Sequence, residues 1–220
     1  MTAKDGSGDS RARAGYHHGD LRNALIEAAL GMLEAEGADR LSLRAVASAV
    51  GVSHAAPTHH FGSLKGLRTA LAEVGFTRFA NAMRAARAEA SADPIAQLRA
   101  ARVGYLAFAV ASPALFRLMF TSPELDWSQQ GLCVAARQAR QELSDYCVAA
   151  ARHLGLTDGH AILRLEHLVW SEAHGESHLV IDGRIPPSTA LAEIDGANPL
   201  GVIDLAALIY AAPGRAHSDA

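Results

Sequence analysis

Apolar residues recur at helical spacing along most of this 220-residue sequence, and this periodicity constrains the fold more than any other feature. Three helix starts carry one signal, a capping side chain followed by a proline that suits the first turn: Asp93-Pro94, Ser112-Pro113 and Asn198-Pro199. The sequence contains no convincing alternation of apolar and polar residues and no internal repeat. It therefore predicts an all-α fold with roughly nine helices.

The predicted helices fall into two groups. We expect a flexible polar arm over residues 1–15, a three-helix helix-turn-helix domain over 16–62, a larger helical domain over 63–212, and a tail over 213–220. In the larger domain, long helices are predicted from about Ser128 to Leu154 and from about Asp158 to Ile181. The last helix, 200–211, is apolar almost all round, which predicts burial on more than one side.

The second and third helices have the composition of a unit that reads the major groove of DNA. Ser42 opens the second helix and Gly51 allows a tight turn after it, while Ala47 is small enough for close packing. Ser53 is predicted to cap the third helix, which ends near Phe61. The outer face of that helix carries small or polar groups that suit base edges: Ser53, His54, Ala55, Thr58 and His59.

The distribution of charge agrees with contact to phosphate, although the formal net charge is −3. No acidic residue occurs from Arg40 to Ala72, and this stretch also contains Arg44, Lys65 and Arg68. A local basic face on an acidic protein is sufficient for binding to the DNA backbone.

Several segments in order resemble the TetR/AcrR-type one-component regulators: Tyr16-His-His-Gly-Asp-Leu-Arg22, Leu41-Ser-Leu-Arg-Ala-Val-Ala47, Gly51-Val-Ser-His-Ala-Ala-Pro57 and His60-Phe61. The resemblance implies that Ser42, Arg44 and Lys65 contact backbone phosphate. It also implies that the outer face of the third helix lies in the groove. Thr58 stands where the family usually has Tyr, so operator detail is not carried over.

The same resemblance implies the partners. A family member binds palindromic double-stranded operator DNA as a homodimer through its last two helices, and a small-molecule effector releases a repressor of this kind. The segment Trp170-Ser-Glu-Ala-His174-Gly175, with the pattern from Pro113 to Phe120, resembles the Trp-His-Gly C-terminal domain of one branch. We expect six residues to line an effector pocket: Phe108, Phe116, Met119, Trp170, His174 and His178.

The polar cluster Glu172, His174, Glu176 and His178 leaves alternatives open. It could orient an effector, hold a divalent metal, serve a helical enzyme, or only make structural contacts. We expect no enzyme, metal or cofactor, because no nucleophile–base arrangement, phosphate loop or HExxH motif is present. An activator, or a DNA-binding regulator without an effector, remains possible on the sequence.

The sequence also bears on the compartment. No apolar run approaches the roughly 18 residues of a membrane helix, and the first 15 residues lack the apolar stretch of a secretory signal. The two cysteines, Cys133 and Cys147, have no CxxC spacing. We therefore expect a cytoplasmic protein without membrane contact and without a structural disulfide.

Overall fold

The computed structural model describes residues 18–188, and all the regular structure in this part of the chain is helical. Eight helices follow one another: α1 (His18–Glu36), α2 (Leu43–Val50), α3 (Ala55–Phe61), α4 (Leu64–Ala88), α5 (Pro94–Ala111), α6 (Pro113–Thr121), α7 (Gln130–His153) and α8 (Gly159–Ile181). The all-α prediction is confirmed. The polar arm, the Asn198-Pro199 helix start and the helix predicted over 200–211 lie outside the described residues.

Most of the predicted caps are present. The side chains of Ser42, Ser63, Asp93 and Asp158 each accept a hydrogen bond from the backbone N–H three residues later, at 2.8–3.1 Å. Ser112 is one exception, since its side chain makes no capping hydrogen bond. Ser53 is another, because α3 begins at Ala55 with His54 as its N-cap. The Ser53 carbonyl, rather than its hydroxyl, accepts the hydrogen bond from Ala56 N–H at 3.0 Å. The prediction that Ser53 caps the helix was therefore wrong, and its hydroxyl is not used for capping.

Helix α4 connects the N-terminal helices to the rest of the molecule. Its 25 residues span about 37 Å, and it packs along both α5 and α7. A bend of 105° separates α5 from α6, and α6 contacts α1, α4 and α5. One contiguous cluster of buried apolar side chains runs from α1 to α8. The helix-turn-helix and the larger helical part therefore share packed side chains.

The crossing of α4 and α5 depends on Gly104. A Cβ atom there would lie 2.7 Å from the Met83 Cα and also against the Ala82 carbonyl, both of them backbone atoms. We expect Gly104→Ala to lower the free energy of unfolding by about 1–3 kcal/mol, because the two helices must move apart. Urea denaturation measures this change.

Gly31 provides the matched control for this substitution. It lies inside α1 with nothing within 4 Å of an added Cβ atom. Gly31→Ala should therefore raise stability, by up to about 1 kcal/mol, through helix propensity alone. Equal effects of the two substitutions would show that α4 and α5 do not approach as closely as described.

No single helix between residues 18 and 188 has both the length and the apolar character needed to cross a membrane. Helices α5 and α6 reach the length and apolar composition of a membrane span only when they are taken together, and a sharp bend separates them. Both helices contribute to the core, as the buried Leu98, Tyr105, Leu115 and Phe116 show.

Candidate functional site

Helices α2 and α3 are joined by a tight left-handed turn. Gly51 has φ of 74°, a conformation that favours glycine, and its N–H donates to the Ser48 carbonyl at 3.2 Å. The Val52 N–H then donates to the Ala47 carbonyl at 3.0 Å. Val46 and Ala47 are fully buried against the neighbouring helices. This turn fixes the orientation of α3 on the domain.

Within residues 18–188 the outer face of α3 is exposed on the side where the sequence predicts base contacts. The five residues named for this face are all exposed: Ser53, His54, Ala55, Thr58 and His59. Pro57 is buried on the opposite side of the helix. The face is therefore polar, convex and anchored from behind, as insertion into the major groove requires.

The residues assigned to phosphate flank this face. Arg44 is exposed in the first turn of α2, and Lys65 is exposed in the first turn of α4. The half-buried Ser42 hydroxyl accepts from Ala45 N–H at 3.1 Å, which leaves its own proton free to donate. Helix N-termini add partial positive charge at both positions, which favours an anion.

Two other charges modify this basic surface. Arg68 forms an ion pair with Glu124 and donates to the Ala38 carbonyl at 3.2 Å, so it ties the N-terminal helices to the loop before α7. Asp126 has a pKa below its usual range because Ser128 and Gln129 donate hydrogen bonds to it, with the charge of Lys65 as a smaller cause. The exposed cations of the acid-free stretch are therefore Arg40, Arg44 and Lys65.

A cavity of about 250 Å³ lies inside the larger helical part, between α4 and α8. Its wall is mostly aromatic, with six rings: Phe76, Phe79, Tyr105, Phe120, Trp127 and Trp170. Met119, Leu143 and two alanines of α7, Ala136 and Ala139, complete the apolar lining. Trp127 and Trp170 are 51% and 36% exposed, so they stand where the cavity meets solvent. A concave, mostly apolar space of this kind is the usual form of a small-molecule site.

The lining contains one ion pair. Nη2 of Arg140 on α7 lies 3.0 Å from one Glu166 oxygen, and the Ser144 hydroxyl donates to the other oxygen at 3.1 Å. The guanidinium also lies over the Trp170 ring, 5.1 Å from its centroid. The side chain of Arg140 is 50% exposed, whereas that of Glu166 is 11% exposed. The cation thus lies where the cavity meets solvent, and the carboxylate is buried behind it.

The structure separates the six residues predicted to line a pocket into three pairs. Met119 and Trp170 line the cavity directly. Phe108 and Phe116 are buried behind the wall, where their rings pack against those of Phe79 and Tyr105. The remaining two, His174 and His178, lie farther along α8.

His174 contacts the cavity wall through Tyr105. Its Nδ1 lies 2.9 Å from the Tyr105 hydroxyl, and its ring centroid lies 4.8 Å from that of Phe120. Burial lowers the pKa of His174, with the charge of His178 as a second cause, which favours the neutral ring. Burial also raises the pKa of Tyr105, so its hydroxyl keeps its proton. His178 packs on His174 and Phe116, at 4.8 and 5.4 Å between ring centroids.

The predicted cluster of two glutamates and two histidines does not converge. Glu172 and Glu176 face α5, where Nη2 of Arg102 lies 2.9 and 2.6 Å from their oxygens. His174 and His178 instead contact aromatic rings. Within residues 18–188 no group of three or more His, Cys, Asp or Glu side chains is placed to hold a metal ion. The glutamates and the histidines therefore have separate surroundings.

Sequence reasoning did not name several residues of the cavity, among them Phe76, Tyr105, Trp127, Arg140 and Glu166. Of these five residues, only Trp127 has a local sequence feature that could have indicated a binding site, since it is a large apolar residue in a polar segment between two helices. The Arg140–Glu166 pair joins two helices, and no spacing rule within one helix identifies it.

Family models match two segments of the chain. The model described as "Bacterial regulatory proteins, tetR family" matches residues 25–71, which contain the helix-turn-helix. The model described as "Tetracyclin repressor-like, C-terminal domain" matches residues 98–194. No curated protein matches the chain.

Solved structures share the fold over most of the chain. A protein of unknown function from Rhodococcus sp. RHA1 is 28% identical, with a TM-score of 0.68 and 92% and 95% of the two chains covered. The TetR family transcriptional regulator PfmR from Thermus thermophilus is 21% identical, with a TM-score of 0.56 and coverage of 79% and 93%. The multidrug binding protein EbrR, solved with imidazole, is 20% identical, with a TM-score of 0.54 and coverage of 90% and 98%.

Proposed function

Because this chain is a TetR-family transcriptional regulator, we propose that it represses transcription by binding palindromic operator DNA as a homodimer. The observation that carries the proposal is the exposed polar face of α3, held by the Gly51 turn and flanked by Arg44 and Lys65. One copy of α3 reads one half-site, so a twofold-symmetric operator requires two protomers.

Substitution of the two flanking cations tests the DNA-binding part of this proposal. Arg44→Ala and Lys65→Ala should each weaken binding to specific and random DNA alike, and each should lower the salt slope of binding by roughly one unit. Fluorescence anisotropy of labelled duplexes over a range of salt concentrations measures both quantities. Arg137→Ala, which removes an exposed cation from α7, should change neither. If all three variants keep the wild-type slope, the two cations do not contact phosphate.

We place one side of the dimer interface on α8. Its outward face carries Leu168 and Leu179, which are 46% and 45% exposed, with the small residues Ser171 and Gly175 between them. These residues share one helical stripe, and nothing lies within 4 Å of a Cβ atom added at Gly175. An apolar stripe with a small centre suits close helix–helix packing. The other predicted interface helix, over 200–211, lies outside the described residues.

We propose that the aromatic cavity is the effector site and that α6 transmits its occupancy to the DNA-binding helices. Helix α6 supplies Met119 and Phe120 to the cavity wall. At the other end of α6, the N–H groups of Ala114 and Leu115 donate to the Glu34 carboxylate of α1, at 3.1 and 2.9 Å. A ligand that shifts α6 would therefore also move α1, and with it the helix-turn-helix.

Replacement of Glu34 should uncouple the two sites. In Glu34→Ala, α6 loses its two hydrogen bonds to α1, while the outer face of α3 keeps its surroundings. Operator affinity should stay near the wild-type value. The effector concentration needed for release should rise about fivefold or more, the usual size of an allosteric coupling. Glu36→Ala, which removes an exposed carboxylate from the end of the same helix, serves as the control. A Glu34→Ala protein that releases DNA like wild type would contradict this route.

We further propose that the larger helical part belongs to the Trp-His-Gly branch of the family. Support comes from the positions of Trp170, His174 and Gly175 on α8. Trp170 lines the cavity, His174 contacts Tyr105 in its wall, and Gly175 lies on the outward stripe. The three residues would thus connect the effector site with the dimer face on one helix.

A further inference from the structure

We infer that the cavity binds an aromatic carboxylate of about two fused rings, with Arg140 as the group that anchors the carboxylate. This inference rests on the proposed role of the cavity as the effector site. It adds the chemical class of the ligand, which the family matches do not give.

The size of the cavity sets the number of rings. An engineered apolar cavity of about 150 Å³ accepts benzene, and the present cavity of about 250 Å³ is about 1.7 times as large. One ring would leave part of the wall without contacts, whereas two fused rings fill the space. The lining consists mainly of ring faces and edges, which favours a flat aromatic ligand over a branched aliphatic one.

The ion pair sets the sign of the ligand charge. Both oxygens of Glu166 are already used, by Arg140 and by Ser144, and the carboxylate is nearly buried. One guanidinium nitrogen of Arg140, Nη2, donates to Glu166. Within the described residues the guanidinium makes no other hydrogen bond. Arg140 therefore brings N–H donors to the cavity lining that no described residue accepts from, whereas each oxygen of Glu166 already accepts one hydrogen bond.

An organic cation is disfavoured at the same position. A cationic ligand in an aromatic site would use a ring face and a carboxylate. Here the Arg140 guanidinium already covers the Trp170 ring and already pairs with Glu166. An ammonium ligand would have to displace this resident cation, whereas a carboxylate can add to it.

The two tryptophans of the sequence support ligand binding where the cavity meets solvent. Trp127 and Trp170 both line the cavity, and both are partly exposed. Exposed indole rings beside an apolar cavity leave surface that a bound aromatic molecule would cover.

Calorimetric titration of the full chain with three simple probes tests the assignment. 2-Naphthoate should bind more tightly than benzoate, which has one ring, and more tightly than 2-naphthylmethylammonium, which has the opposite charge. In Arg140→Gln, the affinity for 2-naphthoate should fall about tenfold or more, as expected for loss of a hydrogen bond to a charged group. The affinity for the ammonium probe should stay the same or rise. The preference for 2-naphthoate over the ammonium probe should therefore become smaller or reverse.

Two further variants make the result specific. Arg137→Gln removes an exposed cation one turn earlier on α7, outside the cavity lining, and should bind all probes like wild type. Ala139→Leu fills the cavity from α7 without a change of charge and should weaken both naphthalene probes alike. Thermal melting of each variant identifies any that has failed to fold. Ala139→Leu tests the cavity volume and Arg140→Gln tests its charge, so the two variants report on the site independently.

The assignment is overturned if the ammonium probe binds wild type more tightly than 2-naphthoate. It is equally overturned if Arg140→Gln leaves 2-naphthoate affinity unchanged, or if no aromatic probe binds a protein that still binds operator DNA. Binding of 2-naphthoate without release of operator DNA would support the ligand class and contradict the proposed effector role. The titration contains no DNA, so failure of the two proposals is distinguishable.

Discussion

Replacement of Arg102 by methionine is expected to lower the free energy of unfolding by about 3–5 kcal/mol. Nη2 of Arg102 on α5 pairs with Glu172 and Glu176 of α8, and the three side chains are only 9%, 19% and 10% exposed. Without the guanidinium, two nearby carboxylates lose their shared cation in a site that water reaches poorly. The loss falls on the contact between α5 and α8, which together form part of the cavity wall.

Urea denaturation at neutral pH measures this effect, with Arg137→Met as the exposed control that should change stability by less than about 0.5 kcal/mol. The triple variant Arg102→Met, Glu172→Gln, Glu176→Gln should regain part of the loss, because it also removes the two carboxylate charges that Arg102 pairs with. A loss below about 1 kcal/mol for Arg102→Met would mean that the three charges are better solvated than their burial indicates.

Substitution of Leu168 by aspartate is expected to split the proposed dimer and to weaken operator binding roughly a hundredfold or more, because an interface would bury an unpaired charge. Leu168 is 46% exposed in the single chain, so the change should leave the fold of one protomer intact. The separated protomer would then contact only one half-site.

Sedimentation equilibrium and anisotropy with the same protein samples measure the two effects. Ala85→Asp places the same charge on an exposed position of α4 and should leave both unchanged. A wild-type protein that sediments as a monomer, or a Leu168→Asp protein that remains a dimer, would contradict the proposed dimer interface on α8.

Local chemistry explains which helix ends could be predicted. Ser42 and Asp93 cap their helices because the acceptor and the N–H lie three residues apart, within reach of any extended N-cap. Ser112 was predicted as a helix start on the same rule, yet its side chain makes no capping bond. The acceptor at α6 is Glu34, about 80 residues earlier in the chain. Such a cap depends on packing and has no local sequence signal.

The candidate site was predictable to a smaller extent. The periodicity of α8 places residues two apart on nearly opposite sides of the helix, so Glu172 and His174 could have been separated on sequence grounds alone. The pairing of Arg140 with Glu166 could not be predicted, because it depends on the register of α7 against α8. Phe116 and Met119 had the same apparent role, and only the direction of α6 decides that Met119 reaches the cavity while Phe116 lies in the core behind it.

The most direct test of the central claim is selection of DNA fragments by the wild-type protein and by Thr58→Ala, followed by sequencing. Thr58 lies on the exposed face of α3 and makes no contribution to the core. We predict that wild type enriches a twofold-symmetric sequence, and that Thr58→Ala changes the preferred base at symmetric positions in both half-sites without a change in their spacing. Enrichment of no sequence by the wild-type protein, or an identical preference in both proteins, would contradict the account of α3 as the DNA-reading helix.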